Sequence, residues 1–261
     1  MKYLNDISYK DCVGNVFKSL NSGDFKVVKY NDARNVEIQF LTTGYRKVAE
    51  MKEVKTGSIK DPCLPSVYGV GITGARYPTK VNGVHTKEYK LWHSMLSRCY
   101  NDTYKKRQPT YEGCEASENF KSYEHFYEWC HKQIGFGNDG NGNPFHLDKD
   151  LLVKGNKVYS ENTCVFLPQE INQVLVKTTA SRGEHLIGVS WNKKDNAFVA
   201  RVAKNKGKQE YLGSFKTEIE AFNAYKTAKE LYIKDVANKF KSQIDLRAYE
   251  ALMKYEVNID D

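Results

Sequence analysis

Two rhythms of apolar and polar residues run along the chain. Near the N-terminus, Phe25-Lys26-Val27-Val28-Lys29-Tyr30 and Val36-Glu37-Ile38-Gln39-Phe40 carry β-branched and aromatic residues in near-alternation. The turn-rich bridge Asn31-Asp32-Ala33-Arg34-Asn35 joins them, which predicts a β-hairpin. Gly14, Gly23, Gly44 and Gly57 punctuate this region at short-strand spacing, so residues 1–72 are expected to form a small β-barrel-like domain, SH3-like in outline. Gly69-Val70-Gly71-Ile72-Thr73-Gly74 reads as a turn or linker, because no lysine-serine pair follows and no helix begins before Lys87. Helical spacing then takes over. Tyr89, Trp92, Met95, Leu96 and Cys99 predict a helix from Lys87 to Tyr100, and Phe120, Tyr123, Phe126, Cys130 and Ile134 predict a second.

A loop by composition, Asn138 to Pro144, leads into a strand over Phe145-His146-Leu147-Asp148-Lys149-Asp150-Leu151-Leu152-Val153. Lys154-Gly155-Asn156-Lys157 is a turn, Val158-Tyr159 and Cys164-Val165-Phe166 return as a strand, and Pro168 opens a helix through Val176. In the last third, Leu186 to Trp191, Ala197 to Val202 and Glu210 to Phe215 predict three short strands joined by lysine-rich turns. A long helix follows. Thr217 and Glu220 are spaced as a capping box, and Ala221, Ala224, Tyr225, Ala228, Leu231 and Tyr232 form one stripe to pack on the sheet. The expected class is α+β and multidomain, divided at 1–72, 73–178 and 179–261.

Charge adds a partner to this outline. The formal net charge is +8, and the excess of basic over acidic residues lies mostly between Lys177 and Lys241. Clustered lysine and arginine gain affinity for polyanions by releasing counterions condensed on phosphates. No stretch reaches the length of a membrane span, and Met1-Lys2-Tyr3-Leu4-Asn5-Asp6 lacks the apolar run of a signal peptide, so a cytoplasmic chain without a membrane partner is expected. The six cysteines include no C-x-x-C pair and are expected to be free thiols.

The terminal module resembles the AP2 DNA-binding domain at Gly188-Val189, Phe198-Val199-Ala200-Arg201-Val202, Tyr211-Leu212-Gly213-Ser214-Phe215 and Glu220-Ala221-Phe222-Asn223-Ala224-Tyr225. The resemblance covers about residues 185–238 and implies that the sheet, rather than the helix, enters the major groove of double-stranded DNA. With strand alternation it implies a DNA face of Ser190, Asn192, Arg201, Gln209 and Tyr211, with Lys193, Lys194, Lys204, Lys206 and Lys208 on phosphates. Trp191 is expected under the helix.

The segment from Phe145 to Val176 resembles the HNH, or ββα-metal, nuclease core. The resemblance implies one divalent ion held by Asp148 and Asn172, with Asn162 tying the loop. Oxygen and amide ligands favour Mg2+ or Mn2+. At the position of the family's histidine stands Lys149, a poor base when protonated and a candidate clamp for the scissile phosphate. His146, two residues before Asp148 on the same strand face, is a candidate base, and Asp150 is another. Leu91 to Tyr100 and Pro109 to Cys114 are also similar to segments of phage-type HNH proteins. Taken together, the chain resembles the phage HNH homing endonucleases with a C-terminal AP2 domain, which implies metal-dependent nicking or cutting of duplex DNA by a protein expected to be a monomer. The alternatives are a non-catalytic DNA-binding protein or transcriptional regulator with a degenerate HNH core, and RNA binding by the N-terminal domain.

Overall fold

A computed structural model describes residues 9–137, 142–175, 184–204 and 208–259. The chain is α+β and forms two compact units, residues 1–112 with 116–127, and residues 113–115 with 128–261. Both units cut across the divisions at 72 and 178 read from the sequence.

In the first unit, β1 (Val16–Lys18), β2 (Asp24–Asp32), β3 (Asn35–Phe40) and β4 (Arg46–Ala49) form an antiparallel meander in that order. The expected barrel is absent: among the described residues, β1 and β4 remain edges. The physical reason lies in what covers the apolar face. Helix α1 (Met51–Thr56) lays Met51 and Val54 beside Phe25, Val27, Ile38 and Phe40, so the sheet does not need to curl onto itself. A buried polar knot closes one end: Ser19 Oγ donates to Ile59 O at 2.6 Å, and Thr43 Oγ1 donates to Asp61 Oδ2 at 2.5 Å.

A short hairpin, β5 (Lys80–Val81) and β6 (Val84–His85), precedes α2 (Lys87–Tyr100), whose bounds match the sequence reading. Thr86 caps α2 by accepting from Tyr89 N. Helix α3 (Asp102–Arg107) follows, and β7 (Glu115–Ala116) precedes α4 (Glu118–Lys121) and α5 (Tyr123–Lys132). The stripe through Phe120 and Ile134 was expected to be one helix, but it breaks at Ser122. Tyr123 N donates to Ile72 O at 2.9 Å, and Ser122 Oγ accepts from His125 N, so a new helix starts there. Ile134 lies beyond its end, exposed. The Gly69 to Gly74 run is a loop knitted to α4 by Ile72 N donating to Lys121 O.

The second unit holds two sheets of different kind. Strand β8 (His146–Asp148) pairs antiparallel with β10 (Val165–Leu167), and α6 (Gln169–Leu175) follows; β9 (Val158–Tyr159) lies between them in sequence and is not part of this pair. The first strand is shorter than expected. After Asp148 the chain turns, because Asp148 Oδ1 accepts from both Asp150 N at 3.0 Å and Leu151 N at 2.8 Å. Phe166 anchors the pair against Trp129 and Phe136. Residues 138–141 of the expected loop and Val176 at the expected helix end lie outside the described residues.

Strands β11 (Val189–Asn192), β12 (Ala197–Ala203) and β13 (Gln209–Phe215) form the second sheet, in chain order and antiparallel. Helix α7 (Glu218–Phe240) covers one face, with both halves of the Thr217–Glu220 capping box formed. Gly188 has φ +75°, and a Cβ there would lie 2.0 Å from Tyr225 Cδ2, so only glycine lets the strand approach α7 this closely. The first half of α7 packs Ala221, Phe222 and Tyr225 on the sheet, while its second half meets α6 and α8 (Leu246–Met253). Lys239 Nζ lies 2.5 Å from Glu170 Oε2, tying α7 to α6. This continuous helix, about 34 Å long at 1.5 Å per residue, joins segments that the sequence division at 178 had separated.

Two residues expected in the core between α7 and the sheet are placed differently. Leu231 is exposed, since the buried line drifts to Ile233, Val236, Ala237 and Phe240 where α7 leaves the sheet. Trp191 is 37% exposed and packs edge-on against Phe198 at 4.7 Å, out beyond the end of the core under α7. Among the described residues, all six cysteines are free thiols, and no helix is long and apolar enough to cross a membrane.

Candidate nucleic-acid interface and acidic cleft

The face of the three-stranded sheet turned away from α7 gathers a polar set. Ser190 pairs with Val199 on the neighbouring strand, and Val199 pairs in turn with Ser214. Arg201 Nη1 donates to Ser190 Oγ at 3.3 Å, and its guanidinium sits 6.0 Å from the centre of the Tyr211 ring. Tyr211 OH and Ser214 Oγ share a hydrogen bond of 2.8 Å. Ser190, Arg201, Tyr211 and Ser214 are all exposed. A planar guanidinium braced by a hydroxyl and lying over an aromatic ring is held in one orientation, which suits bidentate contact to a guanine edge or a phosphate.

Ser214 was missed by strand alternation because of a bulge. The register passes from Ala200↔Gly213 to Arg201↔Tyr211, leaving Leu212 extra and moving Ser214 onto the same face as Tyr211. Gln209, opposite Ala203, also lies on this face and is exposed. Asn192 does not join the set: its side chain accepts from Lys194 N at 3.0 Å and donates to Asp195 Oδ2 at 2.5 Å, which shapes the turn. Lys193, Lys194 and Lys208 are exposed at the strand ends. Lys204 pairs with Glu210 at 2.5 Å, and this hydrogen bond raises its pKa, so its charge is already partnered. Lys206 lies outside the described residues.

The residues expected to cut lie around a cleft of about 670 Å³ in the same unit. Asp148, Asp150, Asn172 and Lys254 line it. Burial pushes the Asp148 carboxyl above its ordinary range, and the nearby Asp150 charge adds to this, against the two backbone N–H donors and Lys149 that pull it down. Asn172 Nδ2 donates to Leu167 O at 3.4 Å, leaving Oδ1 as the atom it can offer as a ligand. A cation here would have one carboxylate and one amide oxygen, with further positions left to water and phosphate oxygens, an arrangement suited to magnesium. Among the described residues, no three histidine, cysteine, aspartate or glutamate side chains converge as a metal-binding group.

The other candidates fall elsewhere. Lys149 is 5% exposed and bound into the loop, with Nζ donating to Asp150 Oδ1 and, at 2.9 Å, to Asn156 O, while lying over the Tyr159 ring. Its ammonium is thus taken up by the loop, and Lys149 is not among the residues that wall the cleft. His146 is exposed, and it is not among the residues that wall the cleft. The asparagine that ties the loop is Asn156 rather than Asn162: its Nδ2 donates to Lys149 O at 2.8 Å and Val158 O at 2.7 Å, and its Oδ1 accepts from Val158 N at 3.1 Å. Asn162 is exposed, and its backbone carbonyl lies 3.5 Å from Arg247 Nη1. The turn signal Lys154-Gly155-Asn156-Lys157 was visible in the sequence, but which asparagine bridged the loop depended on where β8 ended. Comparison with protein-family models, with curated proteins and with solved structures gives no match.

Proposed function

We propose that this chain binds duplex DNA through the open face of the β11–β13 sheet and hydrolyses a backbone phosphodiester at the Asp148 cleft, in the manner of an HNH-type endonuclease with an AP2-like reading module. The observation that carries the reading is the braced set Ser190, Arg201, Tyr211 and Ser214 on a sheet whose opposite face is occupied by α7. Exposed lysines at both ends of these strands supply phosphate contacts. The strand, loop, strand, helix order around Asp148 supports the nuclease half.

When bound, a divalent ion would stabilise the charge developing on the attacked phosphate. Asp148 and Asn172 would hold it. Asp150, a carboxylate of the cleft held in place by Lys149, would take a proton from water.

The second reading is a DNA-binding regulator that does not cut. It is favoured by the burial of Lys149 in the loop and by the position of His146 outside the cleft walls. Supercoiled plasmid incubated with the protein and manganese separates the two. Nicking by wild type that Asp148→Ala abolishes, with duplex affinity retained, supports the nuclease; no nicking by either supports the regulator. Arg201→Ala tests the sheet in both cases, with an expected loss of about 1–3 kcal/mol on the preferred sequence.

A further inference from the structure

The cleft has a wall that belongs to neither half of the proposed nuclease. Helix α8 and the residues after it fold back onto the unit and are pinned at two points. Arg247, bonded to the N-cap Asp245 through Nη2 at 2.9 Å, reaches the Glu161 carbonyl with Nη1 at 3.4 Å. Farther on, Val257 is buried against the sheet-and-helix core, its N donating to Glu230 Oε1 at 2.9 Å and its carbonyl accepting from Lys226 Nζ at 2.7 Å. Ala248 and Leu252 are buried between these points. The segment is thus fixed in place, and it carries Lys254 and Glu256 to the cleft that Asp148 and Asn172 also line.

Charge gives this wall a purpose. Asp148, Asp150 and Glu256 line the cleft against Lys154 and Lys254, and carboxylates repel a phosphodiester unless cations intervene. Lys149, the lysine nearest these carboxylates in sequence, is consumed by the loop. Two exposed lysines line the cleft, Lys154 in the loop after Asp150 and Lys254 on the C-terminal wall, and Lys254 is the one held by a segment pinned at both ends. We infer that the C-terminal segment completes the substrate site and that Lys254 contacts the phosphate attacked at Asp148, as a phosphate-binding residue contributed from outside the two modules. This rests on the nuclease reading and deepens it: the substrate is a nucleic-acid backbone phosphate seated between Asp148 and the C-terminal wall.

Full-length Lys254→Ala, Lys254→Arg and Asp148→Ala proteins are compared with wild type in two assays. One is nicking of supercoiled plasmid with manganese, and the other is affinity for a short duplex across a salt series. Lys254→Ala is expected to reduce the slope of log K against log salt by about 0.9, the share of one phosphate. It should slow nicking about 100-fold, as loss of a charge-stabilising contact does, with the unfolding temperature unchanged and both losses restored by Lys254→Arg. Wild-type slope and rate in Lys254→Ala overturn the inference and leave the nuclease standing. A reduced slope with a wild-type rate also overturns it, because the contact would then be to a phosphate other than the one attacked. A wild type that never nicks, matched by Asp148→Ala, overturns the nuclease reading instead; the salt slope alone then decides whether Lys254 touches phosphate.

Discussion

Lys149 and Asn156 bond to each other twice: Lys149 Nζ donates to Asn156 O at 2.9 Å, and Asn156 Nδ2 donates back to Lys149 O at 2.8 Å. The pair closes the loop that starts at Asp148 and sets where Asp148 and Asp150 stand. Removing either side chain leaves half-buried backbone groups without their partner. Asn156→Ala and Lys149→Ala are each expected to cost about 1–3 kcal/mol in urea unfolding. Lys149→Ala should leave the salt slope of DNA binding unchanged, and a slope reduced by one phosphate would show that Lys149 reaches the ligand after all.

Asp148 makes stability depend on pH. Burial raises its folded pKa above the ordinary 3.8, so the folded state binds a proton more readily than the unfolded chain. The stability this confers is complete below the unfolded value and is lost as pH rises through the raised folded value. At neutral pH the ionised carboxylate is therefore a cost, and Asp148→Asn should raise the unfolding temperature there while flattening the acid limb. Manganese should stabilise wild type and not Asp148→Asn. Equal manganese shifts in the two proteins would place the cation elsewhere.

Gly188→Ala should be among the most damaging single-methyl changes in the chain. The added carbon would sit 2.0 Å from Tyr225 on a backbone with φ +75°, which combines overpacking with left-handed strain, about 2–4 kcal/mol together. Circular dichroism melting of the full chain measures it. A change under 1 kcal/mol would mean that β11 can lift away from α7.

Trp191→Ala, by contrast, should be mild. The ring is 37% exposed and leans on Phe198, so the expected loss is about 1 kcal/mol. Phe222→Ala, which empties a position under the sheet, should cost about 3–5 kcal/mol. Comparable losses for the two variants would put Trp191 back in the core.

Local pattern determined a good deal by itself. The spacing of Tyr89, Trp92, Met95 and Cys99 marked α2 from Lys87 to Tyr100, and Thr217 with Glu220 marked the start of α7, because helix periodicity and capping are set by residues within one or two turns. The N-terminal hairpin and the three C-terminal strands were legible for the same reason, as were Ser190, Arg201 and Tyr211 as neighbours on one face. What depended on distant partners was not. Whether four strands closed or stayed open was decided by α1 covering their apolar face. Ser214 joined the polar face only through a bulge that breaks strict alternation, and Leu231 fell outside the core because α7 leaves the sheet part-way along its length. The loop tie passed to Asn156, and Lys149 was drawn inward, because β8 ended at Asp148 and two backbone N–H groups turned the chain there. The wall carrying Lys254 was invisible in sequence, since about 100 residues separate it from Asp148 and only the packing of α8 against α7 brings the two to one cleft. Periodicity records which face of an element is apolar; which element covers that face, and what is carried in beside it, is a property of the folded chain.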